Sequence, residues 1–317
     1  MSIPHKHFTI GLALALAVLT GTQTSSLAID AVSYMVMDST TGHVLAAQDA
    51  NKKLQIGSLT NIATAMVVLD WAELNKRDLN ELATVPAAAS AISGMNPLGL
   101  LTGDQVSLRD LLYAALLQSD NVAAYTLADH VGHHLQAGQS NLVPADCFVA
   151  HMNALARKLN MNHTLFLNPH GLEYLENKLP YSTAADLARL SSYAMLNSAF
   201  HFIVSQKERK ITIMHTGTEV SEYMLQNTNE LLGTNGIDGV KTGRTQRAGE
   251  CVVISAVRAP ESKQEGTTYT ITKRQLIVVV LGSTQRFTAA TQLLNSGWQA
   301  YDQWAAMGRP LKKGEGR

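Results

Sequence analysis

The chain has 317 residues and 46% of them are hydrophobic, so it is long enough and apolar enough to bury a large core. Its 25 Lys and Arg residues balance its 25 Asp and Glu residues, which gives a formal net charge of zero at pH 7. This composition excludes a disordered chain, and it offers no basic surface field that would attract nucleic acid.

The N-terminal segment is typical of an export signal. Lys6 precedes an uncharged apolar run over residues 8–19, and a stretch of small and polar residues then ends at Ala28. The apolar run is shorter than the roughly 20 residues that a membrane-spanning helix needs. We therefore predict a secretory signal over residues 1–28 that is cleaved, a periplasmic or otherwise extracytoplasmic location, and no stable membrane anchor.

After removal of the predicted signal, strand signals lie at both ends of the remaining chain. The β-prone runs are at 33–38, 43–47, 239–242, 251–257 and 269–272, the last of which runs into 276–281. The first two runs are separated by Ser-Thr-Thr-Gly, which predicts a hairpin. The polar stretch 259–266 predicts a long turn between two antiparallel strands.

The middle of the chain has the apolar spacing of helices. Apolar residues recur at helical spacing from Leu59 to Leu74, which predicts a helix that begins at or just after Ser58. Further helical patterns cover 108–118, 122–131, 145–159, 183–195 and 287–304. The last helix carries an aromatic stripe, which predicts a face buried against a sheet.

Strands at both ends and helices between them indicate an α+β fold. We predict one antiparallel sheet assembled from the two ends of the chain, flanked by helices and carrying an inserted helical lobe. A cleft between the sheet and the lobe would be the natural place for a binding site.

Two smaller features have ordinary structural explanations. Cys147 lies in a helical pattern and Cys251 heads a strand-like run, which favours two small apolar side chains over a disulfide bond. The basic residues near the C-terminus predict a solvated chain end, and they are Arg309, Lys312, Lys313 and Arg317.

Three short segments carry the residue types of nucleophilic catalysis. They are Ser-Leu-Thr-Asn at 58–61, Ser-Asp-Asn at 119–121 and Lys-Thr-Gly at 241–243. In that order they match S-x-x-K, S-D-N and K-T-G, the motif set of class A β-lactamases and penicillin-binding proteins, except at position 61. Each segment alone is common, so the order and separation of the three carry the weight.

The first two segments would supply a nucleophile and a path for its proton. Ser58 at a helix start lies on the same face as residue 61, within reach of a proton acceptor there. Ser119 and Asn121 would stand at a turn between two helices. There the Ser119 hydroxyl would pass a proton and the Asn121 amide would hold a peptide carbonyl.

The third segment would recognise the substrate. Lys241 and Thr242 would present a cation and a hydroxyl to a carboxylate. Gly243 would let another chain pair closely with the edge of its strand.

Further stretches of the chain support the same assignment. Among them are Gly-Asp-Gln-Val-Ser at 103–107, Asn-Pro-His-Gly-Leu at 168–172 and Gly-Val-Lys-Thr-Gly at 239–243. From about Ala31 to Trp304 the chain resembles the serine D-alanyl-D-alanine carboxypeptidases, the low-molecular-mass penicillin-binding proteins. The resemblance implies a β-lactamase/DD-peptidase-like fold, with a catalytic domain over 29–305 followed by a basic tail over 306–317.

The resemblance also implies a reaction. Ser58 would attack the penultimate carbonyl of a peptidoglycan stem peptide that ends in D-Ala-D-Ala, with the backbone amides of Ser58 and Arg244 as oxyanion hole. Lys241 and Thr242 would hold the terminal carboxylate, and β-lactams would bind as mimics of the dipeptide. We predict no cofactor and no metal site.

Asn61 stands where the family has the lysine of S-x-x-K. An Asn side chain has no basic site that titrates near neutral pH, so it cannot act as a general base as lysine can. Three explanations stay open: a pseudoenzyme that binds muropeptides or β-lactams without turnover, a slow enzyme in which Ser119 and Lys241 relay the proton, and a recent or introduced lesion. On physical grounds we predict severely reduced activity.

Two other classes of function compete with a carboxypeptidase. A class A β-lactamase uses a Glu after the Ser-Asp-Asn segment to activate the deacylating water, and residues 147–172 contain no Asp or Glu. A β-lactamase is therefore the weaker enzyme hypothesis. A non-catalytic cell-wall binding module on the same fold predicts recognition at 241–243 without acylation.

Histidines invite a metal or catalytic interpretation at two places. His130, His133 and His134 form H-x-x-H-H, but only the neighbouring Asp129 offers a carboxylate, so we predict a solvated helix end. His170 lies in the Asn-Pro-His-Gly-Leu stretch, where we predict a structural turn near the cleft and not a catalytic base.

Overall fold

The computed structural model describes residues 28–92, 94–136, 141–173, 178–217 and 219–311. Residues 1–27 of the predicted export signal and residues 312–317 of the predicted basic tail lie outside the described residues. Within the described ranges, no helix combines the length and the apolar character needed to cross a membrane.

The described residues form two antiparallel sheets and a set of helices. The strands are β1 (Ser33–Asp38), β2 (Val44–Gln48), β3 (Leu82–Thr84), β4 (Gln105–Ser107), β5 (Glu208–Met214), β6 (Val220–Gln226), β7 (Ile237–Thr245), β8 (Gly249–Glu265) and β9 (Thr268–Ser283). The helices are a 3-10 helix (Gly57–Thr60), α1 (Asn61–Leu74), α2 (Ala87–Ser90), α3 (Leu108–Leu117), α4 (Asn121–Leu135), α5 (Pro144–Lys158), α6 (Ala184–Ala194), α7 (Ser198–Val204) and α8 (Arg286–Ala306).

The larger sheet joins the two ends of the described chain. Its strand order is β2-β1-β9-β8-β7, and β1 pairs antiparallel with both β2 and β9. The predicted hairpin of β1 and β2, and the predicted sheet built from both ends of the chain, are confirmed. Because β7 is the last strand in this order, it forms one edge of the sheet.

Both faces of this sheet are covered by apolar side chains, since alternate residues of a strand point to opposite faces. In β9, Val278 and Val280 pack toward the cluster that contains Trp298 of α8. The intervening Val279 packs toward the cluster that contains α1 and α6. Trp298, Tyr301 and Trp304 are all buried, so the predicted aromatic face of the last helix is confirmed.

Two of the helices in the middle of the chain, α3 and α6, begin at polar caps. Ser107 Oγ accepts a hydrogen bond from Asp110 N at the start of α3, and Thr183 Oγ1 accepts one from Asp186 N at the start of α6. A side-chain oxygen at an N-cap satisfies an amide that the helix itself leaves unpaired. Helices α1, α3, α4, α5 and α6 all fall within a few residues of the predicted ranges.

The prediction of a single sheet was incomplete, because a second sheet lies within the region predicted as helical. Its strand order is β3-β4-β5-β6, and all its pairs are antiparallel. Strands β3 and β4 have only three residues each, and β5 and β6 alternate exposed residues with half-buried or buried ones. Such short or half-exposed strands give too weak an apolar signal to be found from sequence.

The prediction of a long turn over 259–266 was wrong. Those residues up to Glu265 belong to β8 and pair with β9, from Glu261 opposite Thr272 to Glu265 opposite Thr268. The pairing shifts register between Arg258 and Glu261. This extension of the hairpin is largely exposed, so its polar sequence reflects solvent on both faces and not a turn.

Both cysteines have free thiols, as predicted. Cys251 is buried in β8, opposite Gly243 of β7. Burial raises the pKa of its thiol to about 11, so the thiol is protonated at neutral pH and poorly reactive.

The packing of α8 on the sheet gives a first prediction. Leu294 is fully buried in the cluster between α8 and the sheet, so Leu294→Ala should lower the free energy of unfolding by about 2–5 kcal/mol through lost burial and a cavity. The matched control is Gln299→Ala on the exposed side of the same helix, which should change it by less than about 0.5 kcal/mol. Equilibrium unfolding in urea measures both, and equal effects would contradict the packing.

Candidate functional site

Ser58 lies on the 3-10 helix that leads directly into α1, and its side chain is half-buried. The preceding residue, Gly57, has a φ of +51°, in the left-handed region that favours glycine. A Cβ atom at Gly57 would lie 3.1 Å from the backbone nitrogen of Arg244 on β7. The nucleophile candidate is thus presented at a tight turn against the sheet edge.

Gly243 of β7 makes the closest approach to this turn. A Cβ atom there would lie 2.5 Å from the carbonyl oxygen of Ile56 and 3.1 Å from the amide nitrogen of Leu59. Real Cβ atoms do not approach a carbonyl oxygen so closely, so any side chain at position 243 would push β7 away. Residues on both sides of Ser58 therefore touch Gly243 and Arg244, which brings the first and third sequence segments together.

Lys241 and Ser119 join the second and third segments. The Lys241 ammonium donates hydrogen bonds to Ser119 Oγ and, at 3.0 Å, to the carbonyl oxygen of Thr242. Both side chains are buried, although the two residues are 122 positions apart in the chain. Ser119 has a φ of +61°, a conformation that costs a non-glycine residue about 1 kcal/mol and that occurs often at functional sites.

The surroundings of Lys241 favour its neutral form. Complete burial, with a smaller effect from the Arg286 guanidinium, lowers the pKa of Lys241 to about 7. Arg286 begins α8, and its Nη1 donates to the carbonyl oxygen of Gly243 at 3.2 Å. No local sequence motif marks Arg286, because it reaches the site from the start of the last helix.

The Thr242 side chain links β7 to Thr228, which lies in the segment between β6 and β7. Its hydroxyl lies 2.7 Å from the hydroxyl of Thr228, which donates to the carbonyl oxygen of Leu117 at 3.0 Å. Close by, Asn229 Nδ2 donates to the carbonyl oxygen of Gly239 at 3.1 Å. These bonds fix β7 against the C-terminal end of α3, so Thr242 serves the structure as well as the site.

Asn61 and Asn121 are both buried and only partly satisfied. Asn61 Nδ2 donates to the carbonyl oxygen of Ala115 at 2.8 Å, and Asn121 N donates to the carbonyl oxygen of Met95 at 2.8 Å. Among the described residues, neither side-chain oxygen has a hydrogen-bond donor. Buried acceptors without donors are rare in folded proteins, and they are expected where water or a ligand completes the site.

Asp120, between Ser119 and Asn121, fixes the turn. Its Oδ1 accepts from Ala123 N at 2.9 Å as the N-cap of α4, and its Oδ2 accepts from Leu98 N at 3.3 Å. Burial raises the pKa of this carboxyl to about 6, although the backbone hydrogen bonds oppose the shift. The role of Asp120 is therefore to hold its neighbours in place.

His170 lies in a buried turn beside the 3-10 helix, in agreement with its prediction as a structural residue. Its Nδ1 accepts from Leu172 N at 3.2 Å, and burial lowers its pKa to about 3. A Cβ atom at Gly171 would lie 2.0 Å from the carbonyl oxygen of Gly57. The Asn-Pro-His-Gly-Leu stretch thus packs directly behind Ser58.

The sequence-predicted site residues therefore converge from three parts of the chain. Ser119, Lys241 and Thr242 form one bonded chain, while Gly243 and Arg244 adjoin the turn of Ser58. This arrangement offers a hydroxyl nucleophile, a second hydroxyl bonded to an amine that is partly neutral at pH 7, and the edge of a sheet. These are the groups that nucleophilic acyl transfer to serine needs.

Comparison with known proteins gives the same picture. A family model described as D-alanyl-D-alanine carboxypeptidase, peptidase S11, matches residues 20–265. The D-alanyl-D-alanine carboxypeptidase of Streptomyces sp. strain K15 is 33% identical over 301 residues, which cover 92% of this chain and 96% of that protein. The carboxypeptidase DacC of Escherichia coli is 32% identical over 284 residues, and the match spans 86% of this chain and 62% of DacC.

Solved structures agree with the sequence matches. The crystal structure of the Streptomyces K15 DD-transpeptidase has a TM-score of 0.73 and 31% identity, and it covers 86% of this chain and 98% of that one. Penicillin-binding protein D2 from Listeria monocytogenes has a TM-score of 0.66 and 28% identity, and the match covers 86% of this chain and 99% of that one. The predicted DD-peptidase-like fold, an antiparallel sheet flanked by helices, is confirmed. The chain belongs to the peptidase S11 family of D-alanyl-D-alanine carboxypeptidases.

Proposed function

We propose that this protein acts outside the cytoplasm on peptidoglycan stem peptides that end in D-Ala-D-Ala, as a serine carboxypeptidase with reduced activity. The observation that carries the proposal is the buried hydrogen bond between Lys241 and Ser119, next to the turn that presents Ser58. Family membership supports the substrate class, and the predicted cleavage after Ala28 supports the location.

The substrate would lie along β7. An extended peptide can add itself to the free edge of a sheet, and β7 is the last strand in the order of the larger sheet. Thr242 and the nearby Arg286 supply a hydroxyl and a positive charge that suit the terminal carboxylate, and Lys241 adds a second charge once it has accepted a proton. The backbone amides of Ser58 and Arg244 would hold the oxyanion, and Asn121 would hold a peptide carbonyl.

β-Lactams are the second ligand class, since they mimic the same dipeptide. Penicillin-binding protein D2 of Listeria monocytogenes, a similar structure, has been solved in its ampicillin-bound form. In this protein a β-lactam would be attacked by Ser58, and its ring would open to leave an acyl group on the serine oxygen.

Asn61 is the reason to expect reduced activity. Its amide is tied to the carbonyl oxygen of Ala115 and carries no group that titrates near neutral pH. General-base assistance contributes roughly 10² to 10⁴ in rate. The alternative that this observation favours is a non-catalytic protein that binds muropeptides or penicillin.

The remaining proton path runs through Ser119 to Lys241. Ser58 Oγ would form its bond to the substrate carbonyl carbon while its proton passes to Ser119 Oγ, and Ser119 would pass its own proton to Lys241 Nζ. Lys241 can accept that proton because its lowered pKa, about 7, leaves the amine partly neutral at physiological pH. The C–N bond to D-Ala would then break as the proton is returned to the leaving amine, and a water molecule would hydrolyse the ester to free Ser58.

Intact-mass spectrometry of the mature protein with penicillin tests the acylation step. We expect one covalent adduct that forms slowly on the wild type, does not form on Ser58→Ala, and forms roughly 10² to 10⁴ times faster on Asn61→Lys because a general base is restored. Equal rates for the wild type and Asn61→Lys would contradict reduced activity. The assignment of Ser58 would be overturned if neither the wild type nor Asn61→Lys formed an adduct.

The pH dependence of acylation tests the proton path separately. If neutral Lys241 is the acceptor, the rate of adduct formation on the wild type should rise with pH up to about 7 and level off above it. The rate at each pH is measured by intact mass between pH 5.5 and 8.5, with the Ser58→Ala variant as blank. A rate that does not change over this range would exclude Lys241 as the acceptor.

The pH dependence of stability tests the same pKa without any substrate. Between pH 7 and 10.5 the unfolded chain binds the Lys241 proton and the folded chain does not, so stability should rise with pH, by up to about 1.4 kcal/mol per pH unit. Lys241→Met, which keeps the volume and removes the charge, should lose this slope. Urea unfolding at several pH values measures the difference between the two proteins, and identical slopes would refute the lowered pKa.

A further inference from the structure

Away from the catalytic residues, three potential metal ligands meet near the C-terminal end of α4. His130 and His134 lie one turn apart on α4, and Glu81 comes from the segment just before β3. His130 Nε2 is 3.1 Å from Glu81 Oε1, and His134 Nε2 is 4.0 Å from the same oxygen. The ligand atoms of all three residues lie within 4.8 Å of one another.

These three groups form a donor set that suits zinc. Two imidazole nitrogens and one carboxylate oxygen are ordinary Zn²⁺ ligands, and histidines four positions apart on a helix can bind one ion together. Bonds of about 2.0 Å in a tetrahedral site place the ligand atoms about 3.3 Å apart. His130 and Glu81 already have this spacing, and His134 Nε2 would have to move about 0.7 Å closer to Glu81 Oε1 to reach it.

Arg77 fixes the orientation of the Glu81 carboxylate in the cluster. Arg77 Nε donates to Glu81 Oε2 at 2.9 Å. Arg77 also bonds to Glu81 Oε1, and this second bond would be given up to the ion while the bond to Oε2 orients the carboxylate.

We propose that Glu81, His130 and His134 bind one Zn²⁺ ion, with water completing the coordination. The side chains of these residues are 24%, 18% and 41% exposed, so an ion can enter from solvent. The site lies beyond the catalytic end of α4, since His130 is nine residues after Asn121, or about 14 Å along the helix. The ion would therefore tie α4 to the start of β3 and would take no part in acylation.

Isothermal titration of the metal-free protein with ZnCl₂, together with thermal unfolding, tests the proposal. We expect one equivalent to bind, and Tm to rise by about 5 °C at a free Zn²⁺ concentration 100-fold above Kd. His134→Ala should lose both the binding heat and the rise in Tm. The matched control is His133→Ala, because His133 bonds to the backbone oxygen of Asp129 and belongs to a different cluster of contacts.

The Tm of each variant is measured with and without Zn²⁺, and only the difference between the two values is compared. An effect of the substitution on the stability of the metal-free protein therefore does not enter the comparison. The other histidines of the chain remain in both variants, and they therefore contribute equally to any weaker binding. Glu81→Gln serves as the second ligand variant and should also lose the Zn²⁺ response. The proposal is overturned if the wild type shows no response, or if His134→Ala and Glu81→Gln respond as strongly as His133→Ala.

Discussion

The contact between Gly243 and the turn that carries Ser58 is the constraint on which the rest of the site depends. A single Cβ atom at that position would lie 2.5 Å from the carbonyl oxygen of Ile56, so β7 can reach the 3-10 helix only without a side chain there. This contact sets where Lys241 enters the interior, and through Lys241 it sets the position of Ser119. The absence of a side chain at position 243 therefore determines how closely β7 can approach the 3-10 helix.

The interior next to this contact is unusually polar for its depth. A buried amine, a buried carboxyl at Asp120 and the amides of Asn61 and Asn121 all lie within elements that are otherwise apolar. Burial disfavours charge on both Lys241 and Asp120, which lowers one pKa and raises the other. Folded proteins accept such costs mainly at functional sites, where the same polar atoms act on a ligand.

The sequence predicted the elements and residues that depend on local patterns. Helix α1, the β1–β2 hairpin and the aromatic face of α8 follow from periodicity, and the three motif segments mark most of the proposed site. What it could not predict depends on distant contacts. The second sheet has weak strands, the polar extension of β8 resembles a turn, Arg286 acts from another helix, and Glu81 meets His130 from 49 positions away.

The pairing of β1 with β9 also determines when the larger sheet can form during synthesis of the chain. The ribosome makes β1 first among the strands and β9 last, and Asp30 Oδ2 even accepts a hydrogen bond from Thr284 N, 254 positions later. Until the last strand has emerged, β1 and β2 have no neighbour on which to form a stable sheet. The nascent chain therefore stays without its larger sheet for most of translation, which is the order of events that the proposed location outside the cytoplasm would need.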